Sequence, residues 1–193
     1  MRPRCGAGTT VRRVGPDGTR WTRRPGQGEY ARPERERRFL LRTDPPLGVA
    51  AGSIEDHYIQ GTRLRLRHVY ADGEDVYKLT QKVRVREGDP SDLRITTSYL
   101  SRDEHQVLSA LPGMKISKTR SVHALDEHDF VVDIFHGRLT GLRLVEVEVD
   151  LYNLQGTLTT PDWVGEEITP DDRYSGGNLV FGLDDDITAV LAT

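Results

Sequence analysis

The sequence predicts an α+β protein built on a closed antiparallel β-barrel, with helices packed outside and a charged lumen. Short stretches of alternating side-chain character recur from Glu34 onward, and turn residues separate them. At least five of these stretches carry charges in line on one face, with carboxylates on two and cations on three. The solvated face of an open sheet mixes signs. This separation by sign is therefore better explained by a barrel that turns its polar faces inward.

Size and charge restrict the function classes. The 193 residues suffice for one domain with a sizeable core, and the net charge is −3. Residues 1–33 carry eight arginines against two acidic residues and are rich in Gly and Pro, which predicts a basic, disordered arm before a domain at residues 34–193. We expect neither nucleic acid nor a membrane as a partner, because that domain is acidic and no segment approaches about 18 consecutive apolar residues. Cys5 is the sole cysteine, which fits a reducing cytoplasm.

Alternation predicts the strands of the first half. In ERERRFLL, Glu34, Glu36 and Arg38 share one face, while Phe39 and Leu41 lie on the other. Further strands are predicted at residues 54–59 (a weak pattern), 62–70, 76–85 and 92–97, and ADGED forms a hairpin turn after residue 70. Residues 48–52 predict a loop or a short helix.

The second half adds helices and three more strands. Ser101 is a predicted helix N-cap, because Glu104 completes a capping box and Pro112 follows the apolar pattern of the helix. Strands are predicted at residues 115–122, 130–135 and 142–151. Helices are predicted after Asp171 and near residues 184–191.

The charges in line share a chemistry. Cations spaced two residues apart recur on several strands, and together they concentrate a positive potential that suits phosphate groups. Carboxylates with the same spacing suit a hard cation such as Mg²⁺ or Mn²⁺. Each strand alone is more often a solvated edge, but together they indicate a site for a metal–polyphosphate complex and phosphoryl transfer. A P-loop is excluded, because the sequence has no Gly-rich loop ending in GK[ST].

One family shares these blocks. ERERRFL at residues 34–40 resembles the ExExK signature of CYTH domains, also called triphosphate tunnel metalloenzymes. Later blocks follow in the family's order: DHYIQGTRLRLR, YKLTQK, SKTRSV, FVVDIFHGRLTGLRLVEVEVD and WVGEEITPDDRYS. The resemblance covers residues 34–175. It implies an eight-stranded antiparallel barrel that forms a tunnel.

The resemblance also implies a role for each matched residue. It implies metal binding by Glu34, Glu36, Glu146, Glu148 and Asp133, and substrate binding by Arg38, Arg63, Arg65, Lys82, Lys118 and Arg120. The four glutamates and Arg38 form the predicted catalytic set, in which the late acidic pair orients the attacking water. Arg38 replaces the lysine of the signature. Arginine keeps the charge but cannot act as a general acid or base at ordinary pH.

The resulting functional expectation is metal-dependent hydrolysis of a triphosphate, with inorganic tripolyphosphate first and Mg²⁺ or Mn²⁺ as cofactor. Two alternatives share the fold: a class IV adenylate cyclase and a thiamine triphosphatase. Nothing in the sequence indicates a pocket for a base or a thiazolium ring. A polyphosphate- or nucleotide-binding module without turnover is a further alternative, although four retained glutamates argue against it. The oligomeric state is not predicted.

Overall fold

The structure is a computed structural model that describes residue 25 and residues 30–85, 91–149 and 158–182. Nearly all of the predicted basic arm, including Cys5, lies outside the described residues. So do the predicted helix near residues 184–191 and the last two residues of the predicted strand 142–151.

The described residues form nine strands, two α-helices and two short 3₁₀ turns. The strands are β1 (Arg32–Leu41), β2 (Val49–Ile59), β3 (Leu64–Ala71), β4 (Glu74–Arg84), β5 (Asp92–Leu100), β6 (Gly113–Leu125), β7 (His128–His136), β8 (Arg143–Glu148) and β9 (Val164–Glu167). The helices are α1 (Arg102–Ser109) and α2 (Gly176–Phe181), and the 3₁₀ turns are Gly137–Leu139 and Asp172–Tyr174.

Strand β1 closes the sheet into a barrel. The order is β5-β4-β3-β2-β6-β7-β8-β1, every pair is antiparallel, and β1 also pairs with β5. Glu34 lies opposite Leu93 on one edge of β1, and Glu36 lies opposite Glu148 on the other. The prediction of a closed eight-stranded antiparallel barrel is confirmed. The short strand β9 was not predicted; it pairs with β1 beyond the end of β5.

The prediction of a loop or short helix at residues 48–52 is wrong, because β2 begins at Val49. Its register against β6 shifts between Ala50 and Gly52, and Gly52 has a φ of 99°. A Cβ there would lie 2.2 Å from the carbonyl oxygen of Tyr70, so glycine is required at this irregularity. Pairing with β3 and β6 on both edges outweighs the local preference of a Gly-rich segment.

Helix α1 lies outside the barrel against β3, β4 and β5. The predicted capping box is confirmed: the Ser101 side chain accepts from the Glu104 backbone N–H, and the Glu104 carboxylate accepts from the Ser101 N–H. The predicted apolar face is not buried, since Val107 is 72% exposed. The helix instead packs through His105, whose ring lies 4.8 Å from that of Tyr77.

Two apolar clusters divide the molecule into an outer and an inner core. The outer cluster includes Phe39, Val145 and Val147 and packs against Trp163. The inner cluster joins lumen-facing side chains at one end of the barrel, including Ile116, Phe135 and Leu144, to Tyr174, Leu179 and Val180. Residues 172–181, here called the plug, therefore cover one end of the lumen. No helix in the described part of the chain is both long and apolar enough to cross a membrane.

Candidate active site

The barrel lumen holds a cavity of about 890 Å³ with strongly charged walls. Its basic lining residues are Arg32, Arg38, Arg63, Arg65, Arg67, Lys78, Lys82, Arg84, Lys118 and Arg120, and its acidic lining residues are Glu34, Glu36, Glu146 and Glu148. Because side chains alternate along a strand, the in-line charges of the sequence all reach the same interior. The predicted site residues are thus brought together, apart from Asp133, which lies behind two of the cations.

The four glutamates form one wall of the lumen. Glu36 lies directly opposite Glu148, and Glu146 is opposite Arg38, two residues further along the same strand pair. Burial raises the pKa of Glu36, and the charges of Glu146 and Glu34 raise it further, although Lys82 and Arg38 lower it. A divalent cation beside this carboxylate would relieve the repulsion from Glu146 and Glu34.

Lys82 bridges the two carboxylates of β1. Its Nζ donates to Glu34 Oε1 at 2.8 Å and to Glu36 Oε2 at 3.3 Å. Burial lowers the pKa of Lys82, but Glu36 and Glu34 outweigh it and raise the pKa above its usual value. Lys82 therefore stays charged, and in this structure its charge offsets those of Glu34 and Glu36.

Asp56 holds two arginines of β3. Its carboxylate is 1% exposed and accepts two hydrogen bonds from Arg67, at 2.6 and 2.7 Å. Arg65 Nε lies 3.6 Å from the same carboxylate. Burial raises the pKa of Asp56, but the arginines outweigh it, and the net effect lowers that pKa to about 2. Asp56 therefore fixes both guanidinium groups at the lumen surface.

Asp133 plays the same part on β7, two strands along the barrel from β2. It is 1% exposed, accepts from Arg120 at 2.7 and 2.6 Å, and forms a short ion pair with Lys118. Arg120 also donates to Glu146 Oε2 at 2.9 Å. Burial raises the pKa of Glu146, but Lys118 and Arg120 outweigh it and bring that pKa below its usual value. Both Asp133 oxygens are engaged by cations, so metal binding by Asp133 stays a prediction.

Arg38 links the acidic wall to the plug. It is 6% exposed, its Nη1 donates to the Tyr174 carbonyl at 3.1 Å, and its Nε lies 3.4 Å from Glu36 Oε1. Its backbone N–H donates to Thr169 Oγ1 at 2.9 Å. A lysine ammonium has no planar fork with which to reach both a carboxylate and a carbonyl on different sides. The replacement of the signature lysine therefore gives the plug an anchor inside the lumen.

The acidic wall fits an oxygen-coordinated divalent cation. No three His, Cys, Asp or Glu side chains in the described ranges are already close enough to hold a metal ion. Directly opposite positions such as Glu36 and Glu148 nevertheless place their Cβ atoms about 4.5–5.5 Å apart, so side-chain rotation suffices to bring them together. Carboxylate oxygens are the ligands that Mg²⁺ and Mn²⁺ prefer. The raised pKa of Glu36 adds a physical reason for a cation at this wall.

The chain is similar in sequence to known inorganic triphosphatases. The inorganic triphosphatase of Nitrosomonas europaea is 30% identical over 165 residues, which covers 78% of this chain and 98% of that protein. The chain belongs to the inorganic triphosphatase family. The resemblance to CYTH domains is thereby confirmed. The inorganic triphosphatase of Acetivibrio thermocellus is 37% identical over 65 residues, which cover 34% of this chain and 40% of that protein.

Solved structures agree with this family. The crystal structure of the inorganic triphosphatase NE1496 superposes with a TM-score of 0.53 at 26% identity, over 78% of this chain and 95% of that one. A scan against protein-family models matched none. The triphosphatase family thus rests on a full-length relative and on the barrel itself.

Several residues of this triphosphatase lumen were not among the predicted site residues. Arg67, Lys78 and Thr80 line the cavity, and their alternation with the predicted cations was a usable signal. Asp56 was missed because its strand looked weak. Arg84 lies on the same face of β4 as Lys82 but was not predicted as a site residue. It lines the cavity and forms an ion pair with Asp172 in the plug.

Proposed function

We propose that this chain hydrolyses inorganic tripolyphosphate inside the barrel lumen, in a reaction that depends on Mg²⁺ or Mn²⁺. The observation that carries the proposal is the pairing of opposed walls. Cations held in place by buried aspartates face a wall of glutamates within one cavity. Membership of the inorganic triphosphatase family supports hydrolysis of a triphosphate, and the donor set of the glutamate wall supports a divalent metal.

The cations bind and orient the phosphate chain. Arg65 and Arg67 come from β3 and Lys118 and Arg120 from β6, and Asp56 and Asp133 hold them before substrate arrives. Little rearrangement is then needed when negative charge develops on the transferred phosphoryl group. Such preorganised charge is the main source of catalysis in phosphoryl transfer.

The glutamates would hold the metal and position the attacking water. Glu34, Glu36 and Glu148 would ligate the cation, which, when bound, neutralises phosphate oxygens. Glu148 has no ion pair with any described residue, and its carboxylate is exposed to the lumen. It is therefore free to accept a hydrogen bond from a water molecule. We place this enzyme in the cytoplasm and assign it a small-molecule substrate, with neither nucleic acid nor membrane as partner.

The test is phosphate release by the purified full-length chain. Tripolyphosphate and pyrophosphate are each offered with Mg²⁺, with Mn²⁺ or with EDTA. We expect metal-dependent release, fastest from tripolyphosphate. Glu36→Gln should reduce this release at least about a hundredfold, because it removes a charged ligand while the side chain keeps its size. Glu127→Gln, on an exposed turn, is the matched control.

Two results would count against the proposal. Undiminished phosphate release in EDTA would show that the reaction needs no metal ion. Undiminished release by Glu36→Gln would show that the glutamate wall takes no part in the reaction. Circular dichroism of both variants separates a catalytic loss from a folding defect, since Glu36 contributes no apolar contact to either core.

A further inference from the structure

Within the described ranges, Lys82 has no anionic partner apart from two residues of the glutamate wall. Its Nζ lies 2.8 Å from Glu34 Oε1 and 3.3 Å from Glu36 Oε2. Both carboxylates belong to the wall that fits a divalent cation. An ammonium group this close to both oxygens occupies the space between them. Lys82 and a metal ion therefore need the same two ligands.

The lumen cations of β3 and β6 have partners of another kind, buried aspartates that lie behind them. Asp56 accepts two hydrogen bonds from Arg67, and Asp133 accepts two from Arg120. Arg120 also donates to Glu146, but its bonds to Asp133 do not depend on that contact. These arginines therefore keep a counter-charge whatever the glutamates bind.

Lys82 would lose its counter-charge if the glutamates turned to a metal ion. Arg38, the other cation beside Glu36, would keep its hydrogen bond to the Tyr174 carbonyl. Lys82 has no hydrogen bond in the described part of the chain other than those to Glu34 and Glu36. A half-buried cation without a partner is costly, so the displaced ammonium favours the arrival of another anion. The triphosphate is the anion that the proposed function brings into the lumen.

Lys82 can change partners by rotation of its side chain. It lines the same cavity as Arg65 and Lys118, where the phosphate chain would lie. A lysine ammonium is a compact charge on a flexible stem of four carbons, so it can turn from a carboxylate to a phosphate oxygen without movement of the strand.

We propose that Lys82 competes with the divalent cation for Glu34 and Glu36 and that, once displaced, it binds the phosphate chain. Metal and triphosphate then bind with positive cooperativity, and each raises the affinity for the other by the same factor. The inference rests on the proposed function, because it takes the glutamates as the metal ligands and the triphosphate as the bound anion. This change of partners is called the Lys82 exchange below.

Metal binding without triphosphate tests the competition. Titration calorimetry measures Mn²⁺ binding to the wild type, Lys82→Met and Lys78→Met. Methionine has an unbranched side chain with neither charge nor oxygen. We expect Lys82→Met to bind Mn²⁺ at least about tenfold more tightly than the wild type, because a charge-assisted hydrogen bond no longer has to be displaced. Lys78→Met removes the same charge from the same face of β4, about 13 Å along the strand, and should stay within about twofold of the wild type.

Binding of a triphosphate tests the second half of the exchange. A methylene-bridged triphosphate, which is not hydrolysed, is titrated into each variant with saturating Mn²⁺ and with EDTA. We expect the loss of affinity in Lys82→Met to be about tenfold larger with Mn²⁺ than in EDTA, within the usual range for coupled sites. The reason is that the glutamates retain Lys82 when no metal is present. Lys78→Met should lose the same factor under both conditions.

Three results would overturn the Lys82 exchange. One is an unchanged or weaker Mn²⁺ affinity in Lys82→Met. Another is an equal loss of triphosphate affinity with Mn²⁺ and in EDTA. The third is tighter Mn²⁺ binding by Lys82→Arg, which keeps the competing charge and should resemble the wild type. If Lys82→Met does not fold in EDTA, Mn²⁺ should restore its circular dichroism spectrum by replacing the missing charge, and a failure to do so would also count against the exchange.

The proposed function and the exchange can fail separately. Phosphate release from tripolyphosphate by the wild type measures the first, and Mn²⁺ affinity measures the second. No release, together with tighter Mn²⁺ binding by Lys82→Met, would refute hydrolysis and support the exchange. Metal-dependent release with equal Mn²⁺ affinities would support hydrolysis and refute the exchange. No Mn²⁺ binding by the wild type or by Lys82→Met would refute both.

Discussion

Replacing Asp56 by asparagine tests whether buried aspartates organise the lumen. The change keeps the size of the side chain but removes the charge that faces Arg65 and Arg67. Two guanidinium groups would then lie close together in a largely buried site without their counter-charge. We expect Asp56→Asn to destabilise the fold and to weaken substrate binding at the same time.

The magnitude follows from the pKa of Asp56. Lowering that pKa from 3.8 to about 2 corresponds to about 2.5 kcal/mol of folding free energy at neutral pH. Removing one partner of a buried ion pair costs about 3–5 kcal/mol, and an asparagine that still accepts one hydrogen bond costs less. We therefore expect a loss of about 2–3 kcal/mol, or roughly 5–10 °C in Tm for a chain of this length.

The direction in which stability changes with pH provides an independent check. The folded pKa of Asp56 is depressed, so its contribution is present above the unfolded value near pH 4 and is lost as pH falls through about 2. Asp56→Asn should therefore lose stability at neutral pH and show a smaller further loss between about pH 4 and 2 than the wild type.

The assay is urea unfolding followed by circular dichroism, combined with the KM for tripolyphosphate. Asp129→Asn, at an exposed position of β7, is the control and should change the unfolding free energy by less than about 0.5 kcal/mol. If Asp56→Asn matched the control in both stability and KM, Asp56 would not be holding the two arginines, and the reasoning would be refuted.

Two further predictions concern the plug and α1. Arg38→Lys keeps the charge but loses the donor to the Tyr174 carbonyl, so urea unfolding should show a loss of about 1 kcal/mol in unfolding free energy. Arg42→Lys, at an exposed position, is the control. Equal stability of the two variants would exclude the role of Arg38 as an anchor of the plug. Burial lowers the pKa of His105, with help from His68, so the unfolded chain takes up the proton first and stability should fall as pH drops below about 6.5. Urea midpoints at pH 7.5 and 5.5 should differ less in His105→Gln than in the wild type, and an equal difference would contradict this assignment.

The face of the strand on which each charged residue lies could be predicted from the sequence, because it depends only on alternation along the strand. Glu34, Glu36, Arg65 and Lys82 all point into the lumen as expected. The closing pair of the barrel could not be predicted this way, since β1 pairs with β5 and β8, which lie far along the chain. The separation of charges by sign predicted a closed barrel, and the family resemblance implied the number of its strands.

The ion pairs inside the lumen depend on register, which sequence patterns leave open. Arg67 meets Asp56 because these residues are direct partners between β2 and β3, and Arg120 meets Asp133 in the same way between β6 and β7. A slip of one residue would turn every side chain of a strand to the other face. Neither ion pair could therefore be predicted from the sequence, and the metal role of Asp133, which the family resemblance implied, stays a prediction.

The two aspartates also bear on whether the lumen turns substrate over or only stores it. A barrel that merely binds polyanions would bind them most tightly with its ten lining cations unopposed. Here Asp56 and Asp133 offset part of that charge from behind, and four glutamates oppose it from one wall. These carboxylates weaken ground-state binding of a triphosphate. A divalent cation held by the glutamates would offset this repulsion and make the carboxylates favourable. An arrangement that lowers affinity for the resting anion while fixing the cations in place favours the transition state over the bound substrate, as an enzyme requires and a storage protein does not.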